Sequence, residues 1–95
     1  MNGKNDLEIM QNELFEAVAA TDSAEKAHDL LADLCSRREI EQMAQRLRAA
    51  KLLFDGLTYN EVIEATGISS ATLSRVSRCV QCGKGYSELF AKNKQ

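Results

Sequence analysis

Proline is missing from this 95-residue chain, so no helix in it ends through loss of a backbone donor, and the breaks must come from capping side chains and glycine. No stretch approaches the roughly 18 consecutive apolar residues of a membrane helix. The opening Met1-Asn2-Gly3-Lys4-Asn5-Asp6 has no apolar core of the kind a signal peptide needs, so the expected location is the cytoplasm. Cysteine is sparse and odd in number. Cys35, Cys79 and Cys82 do not form a disulfide framework and read as reduced thiols packed as small apolar groups. Cys79-Val80-Gln81-Cys82 has the CxxC spacing, but a zinc site needs two further ligands and the single histidine, His28, is remote in sequence, so no metal site is expected. The glycines form neither a GxxxxGK[ST] nor a GxGxxG arrangement, and no nucleophile has a base assigned to it. An enzyme is not expected.

What the chain does contain is globular: 44% apolar and 27% charged residues, in a length that suits one domain spanning 1–95. A net charge of −2 argues at first against a nucleic-acid partner. Its distribution reverses that impression. Residues 1–36 carry two lysines against eight acidic residues, whereas residues 69–95 carry Arg75, Arg78, Lys84, Lys92 and Lys94 against Glu88 alone.

The apolar period is helical throughout, and no alternating segment reads as a strand. Leu7, Met10, Leu14 and Val18 form one stripe, Ala24, Ala27, Leu31 and Leu34 a second, and Ile40, Met43, Ala44, Leu47 and Ala50 a third. Capping boxes are predicted at Asp22-x-x-Glu25, Ser36-x-x-Glu39 and Thr58-x-x-Glu61, with Gly56 suited to a left-handed helix end. The fold class is therefore all-α. The first two helices are acidic and amphipathic, and a chain this small has little core to cover both stripes, which points to a second subunit.

From Tyr59 to Arg78 the sequence YNEVIEATGISSATLSRVSR reads as a short helix, a turn at Gly67 and a second helix capped by Ser69, a helix-turn-helix pattern. Its fifth residue, usually small, is Ile63. Val62, Thr66, Ile68, Leu73 and Val76 are expected to face inward. That leaves Ser69, Ser70, Ala71, Ser74, Arg75 and Arg78 free, a face of small hydroxyl side chains followed by guanidinium groups. Such a face suits close approach to base edges, with the arginines reaching guanine or phosphate. Sequence-specific binding of double-stranded DNA is the leading reading. The alternative is a helix-turn-helix that docks on another protein without touching DNA.

Residues 29–53 (DLLADLCSRREIEQMAQRLRAAKLL), 56–80 (GLTYNEVIEATGISSATLSRVSRCV) and 82–86 (CGKGY) resemble the Trp repressor superfamily, and within it the YerC/YecD-type Trp repressor-related proteins. The resemblance implies a six-helix subunit intertwined with its twin in a homodimer. Three helices over 5–55 build the dimer core with a C-terminal helix over 85–93, and 59–81 forms the reading head. It implies a transcriptional repressor reading a palindromic operator with half-sites roughly 34 Å apart. It places Ser70, Ala71, Thr72 and Ser74 toward bases and Tyr59 and Asn60 toward phosphate. The resemblance also maps a candidate effector pocket onto Arg46, Arg75 and Val76. Tryptophan-sensing members have glycine after the second arginine, so Val76 argues against tryptophan as corepressor, and no cofactor is expected.

Overall fold

The computed structural model describes residues 3–91, which form six α-helices and, among the described residues, no strand. They are α1 (Gly3–Ala20), α2 (Ala24–Leu34), α3 (Arg37–Phe54), α4 (Tyr59–Thr66), α5 (Ser70–Cys82) and α6 (Gly85–Phe90). The chain divides into two compact units, Met1–Ile40 and Glu41–Gln95.

In the first unit the expected stripe of α1 is present but uncovered: Leu7, Met10, Leu14 and Val18 are exposed, together with Ile9 and Phe15, the last at 62%. α1 ends where Thr21 Oγ1 and Thr21 N–H both donate to the Val18 carbonyl, at 2.7 and 3.1 Å. The start of α2 differs by one residue from the sequence expectation. Ser23, not Asp22, is the N-cap, its Oγ accepting from Lys26 N–H at 3.1 Å. The Asp22 carboxylate instead pairs with Lys26 Nζ at 3.0 Å, an exposed ion pair of the kind that contributes little. No residue of α2 is fully buried. The box at the start of α3 forms as predicted, with Ser36 N–H donating to Glu39 Oε1 at 2.7 Å and Glu39 N–H donating to Ser36 Oγ at 3.1 Å.

The second unit holds the core. Ala49 and Ala50 of α3, Val62 of α4, Ile68 of the turn and Leu73 and Val76 of α5 are buried together. Leu52, Leu53, Leu57, Ile63 and Val80 pack against them at the margin. α3 stops in a Schellman pattern at Gly56. Leu57 N–H donates to the Leu52 carbonyl at 3.1 Å and Gly56 N–H to Leu53 at 3.0 Å, and the side chains of Leu52 and Leu57 both lie on the core. The Thr58–Glu61 box opens α4 through Thr58 N–H to Glu61 Oε1 (2.8 Å) and Glu61 N–H to Thr58 Oγ1 (3.2 Å).

α5 ends at Gly83, a position that only a glycine fits. Gly83 N–H donates to the Cys79 carbonyl at 2.7 Å, and a Cβ added at Gly83 would lie 2.6 Å from that oxygen. The short α6 then folds back, Phe90 meeting Phe54 with ring centroids 6.0 Å apart and Tyr86 at 6.5 Å. The expected C-terminal helix over 85–93 is seen as Gly85–Phe90, and residues 92–93 lie outside the described residues. No helix of the described residues is long and apolar enough to cross a membrane.

The two capping glutamates carry a pH dependence. The backbone amides of Ser36 and Thr58, assisted by the same residues' side chains, hold Glu39 and Glu61 below the ordinary glutamate value. A depressed folded-state pKa means that this stabilisation is complete above the unfolded-state value, near pH 4, and is lost as pH falls through the lowered folded value. Urea unfolding at pH 7 and pH 3 should therefore show a larger acid loss in the parent than in Glu61→Gln. Leu73→Ala, which empties a fully buried site, should cost about 2–5 kcal/mol in the same titration.

Candidate nucleic-acid interface

α4 and α5 are built as a rigid pair by the turn between them. Gly67 sits at φ +74°, ψ +10°, the left-handed conformation that penalises any Cβ, and its N–H closes α4 on the Ile63 carbonyl at 2.8 Å. Thr66 is committed on both sides of this bend. Its Oγ1 donates to the Val62 carbonyl at 2.8 Å and accepts from Ile68 N–H at 3.2 Å, which turns Ile68 into the core at 1% exposure. Ile63, the bulky residue at a position that is usually small, packs at the edge of the same core.

Beyond the turn, Ser69 caps α5. Its Oγ accepts from Thr72 N–H at 3.2 Å and donates to Thr72 Oγ1 at 2.9 Å. Leu73, Val76 and Ser77 are the buried positions of this helix, while Ser70, Ala71, Ser74, Arg75 and Arg78 are all exposed. Of the inward set expected from the sequence, Val62, Ile68, Leu73 and Val76 are buried and Thr66 is half-buried, while Ser77 is buried without having been expected and Thr72 is half-buried. Thr72, placed toward bases by the family resemblance, uses its hydroxyl on Ser69. Tyr59 and Asn60 are exposed at the opening turn of α4.

Electrostatically the start of α5 suits an anion. Its first turn holds no acidic side chain, so the positive end of the helix dipole is uncompensated there, and Arg75 and Arg78 follow on the exposed side of the same helix. Hydroxyls, a methyl, exposed arginines and a helix N-terminus on one protruding surface are the chemistry of contacts to base edges and phosphate oxygens. No group of three or more metal-ligating residues occurs among the described residues.

The three residues of the candidate effector pocket are dispersed in exposure: Arg46 is half-buried, Arg75 exposed and Val76 2% exposed within the core. Two open grooves are present elsewhere in this unit. One, of about 430 Å³, is lined by Leu47, Cys79, Gly83, Gly85, Tyr86 and Leu89. The other, of about 320 Å³, is lined by Ala44, Leu47, Arg48, Lys51 and Phe90. None of the pocket's three residues lines either groove. The cysteine expectation is corrected as well. Cys79 and Cys82 are exposed in the subunit, not buried, because their part of the last turn of α5 faces away from the core that holds Val76.

One side chain with a direct hold on the site escaped the sequence reading. Gln45 of α3 donates from Nε2 to the Thr66 carbonyl at 3.0 Å, across 21 residues. No local spacing in the sequence signals a partner so remote.

A helix-turn-helix in a chain whose described residues include no strand, with a small, hydroxyl-rich and guanidinium-bearing outer face, is the arrangement of the helical DNA-binding regulators. The chain belongs to the Trp repressor family, a family of helical DNA-binding regulators, whose profile, described as Trp repressor protein, matches residues 10–94. It is 37% identical over 78 residues to the uncharacterized protein YerC of Bacillus subtilis (strain 168), covering 82% of this chain and 75% of that one. A crystal structure from Staphylococcus aureus, provisionally assigned as a Trp repressor, superposes with a TM-score of 0.82 at 34% identity over 88% of this chain and 85% of that one. A TrpR-like protein from Eubacterium eligens ATCC 27750 gives a TM-score of 0.82 at 35% identity, covering 96% and 94%.

The local devices of the reading head are separable by mutation. Ser69→Ala should destabilise the protein by about 1 kcal/mol through loss of the cap. Gly67→Ala should cost roughly 1–2 kcal/mol through left-handed strain. Both are measured as shifts in urea midpoint at unchanged m-value.

Proposed function

We propose that this chain is a sequence-specific transcriptional regulator, a repressor, that acts in the cytoplasm as an intertwined homodimer and reads a palindromic operator through two copies of α5. The observation that carries the reading is the division of α5. Leu73 and Val76 fix the helix in the core while Ser70, Ala71, Ser74, Arg75 and Arg78 stand free on its other side. Ser70, Ala71 and Ser74 approach base edges, and Thr72 takes part through the cap it shares with Ser69. Arg75 and Arg78 reach guanine or phosphate, and Tyr59 and Asn60 grip the backbone at the start of α4.

The dimer is supported by α1, whose six large apolar residues lie exposed on a single chain. Five of them, Leu7, Met10, Leu14, Phe15 and Val18, share one side of the helix, and a stripe of that size is ordinarily covered by a partner. Residues 5–55 and 85–93 form the shared core in this reading, and 59–81 the reading head, within one functional domain. Tryptophan is not the corepressor. Val76 is packed into the apolar cluster at the position where tryptophan-sensing relatives require glycine, so an indole has no slot there.

Selection of bound genomic fragments, followed by sequencing, should return an inverted repeat. Binding to it should weaken steeply with salt, log K falling by about 0.9 for each phosphate contacted per decade of salt. If no retarded species forms at low salt, the helix-turn-helix is instead a protein-docking module. Ser70→Ala or Ser74→Ala should change base preference, whereas Arg78→Ala should lower affinity for all sequences and reduce the salt slope by about 1 for a phosphate contact. Phe15→Glu should shift sedimentation from dimer toward monomer. Calorimetric titration with L-tryptophan should give no stoichiometric heat, and micromolar binding would overturn the assignment at Val76.

A further inference from the structure

We infer that Gln45 is a positioning residue for the reading head: its amide holds the end of α4 on α3 and thereby sets the pose in which α5 meets DNA. The inference rests on the DNA-binding reading given above and deepens it. Thr66 is the last residue of α4, where a helical carbonyl has no partner within the helix. Gln45 Nε2 supplies that partner at 3.0 Å from a half-buried position. The Gln45 amide also lies beside the turn itself, 3.8 Å from where a Cβ of Gly67 would stand, an ordinary van der Waals distance.

The bond matters because of what else joins these elements. Ala49 and Ala50 lie one turn further along α3 and meet Val62, Ile68, Leu73 and Val76 through apolar contact alone. Such contact is non-directional, so it governs how near the helices lie more than the angle between them. A hydrogen bond is directional and fixes both distance and angle. Thr66 spends its hydroxyl on Val62 and Ile68, so its carbonyl is the group of this residue that reaches toward α3. Gln45 itself is on another helix from the exposed face of α5 and makes no part of that face. Its influence is on how accurately Ser70, Ala71 and Ser74 are aimed. Phosphate contacts by flexible arginines tolerate a small tilt, and base-edge contacts do not.

The test uses the full chain, its selected operator duplex and a scrambled duplex of equal length, with affinities measured across a salt series. The parent protein comes first, because a parent that does not discriminate the two duplexes defeats the DNA-binding reading itself, independently of Gln45. Given discrimination by the parent, Gln45→Met, which keeps length and removes the donor, should lose roughly tenfold in operator affinity. Its affinity for scrambled DNA and its salt slope should be unchanged. Gln45→Lys retains an N–H donor of similar reach and should restore the ratio of the two affinities, in which any gain from its added charge cancels. A Met variant with the parent's discrimination ratio overturns the inference. So does one in which both affinities fall together with the urea midpoint or helical circular dichroism, since that is the signature of plain fold support.

Discussion

The structure depends on one small apolar cluster in which α3, α4, the turn and α5 all take part. Ala49 and Ala50 of α3 are both wholly buried, and they form that cluster with Val62, Ile68, Leu73 and Val76. A short α4 of eight residues and a single turn complete it and bring α5 to it. Four branched side chains then lock the pair, and interiors packed at crystal-like density resist small displacement. Which side of α5 faces outward is settled because Leu73 and Val76 occupy the core.

Charge follows a different logic from packing. A formal charge of −2 is compatible with membership of a family of DNA-binding regulators, because eight of the fourteen acidic residues lie before residue 37 while the segment from Ser69 onward is basic. Local potential, not the total, decides what a surface attracts at distances comparable with the screening length of about 8–10 Å. The acid-free first turn of α5 adds the backbone's own contribution to that local field.

Much of this was legible in the residues, and the pattern of success is physical. Capping is a three-residue matter, so Ser36–Glu39 and Thr58–Glu61 could be read directly, as could the left-handed Gly67 between two helical periods. The one slip among the caps, Asp22 for Ser23, came from two adjacent residues that both suit the role, with Lys26 deciding between them by drawing the carboxylate away. Where the answer depended on residues distant in sequence, the reading ran out. The bond from Gln45 to Thr66 leaves no local trace, and the exposure of Cys79 and Cys82 depends on which side of the final turn of α5 the core occupies. The outward face of α5 was legible because Leu73 and Val76, fixed inward at a three-residue step, leave little freedom in assigning the rest.

The end of α5 has an implication for how proteins of this build diversify. At Gly83 not even a methyl group fits against the preceding turn, and from that point the chain is led back so that Phe90 can rest on Phe54. The length of α5 is thereby tied to the aromatic pair, and change is accommodated more readily on its exposed surface than by an added turn, which would draw Phe90 away from Phe54.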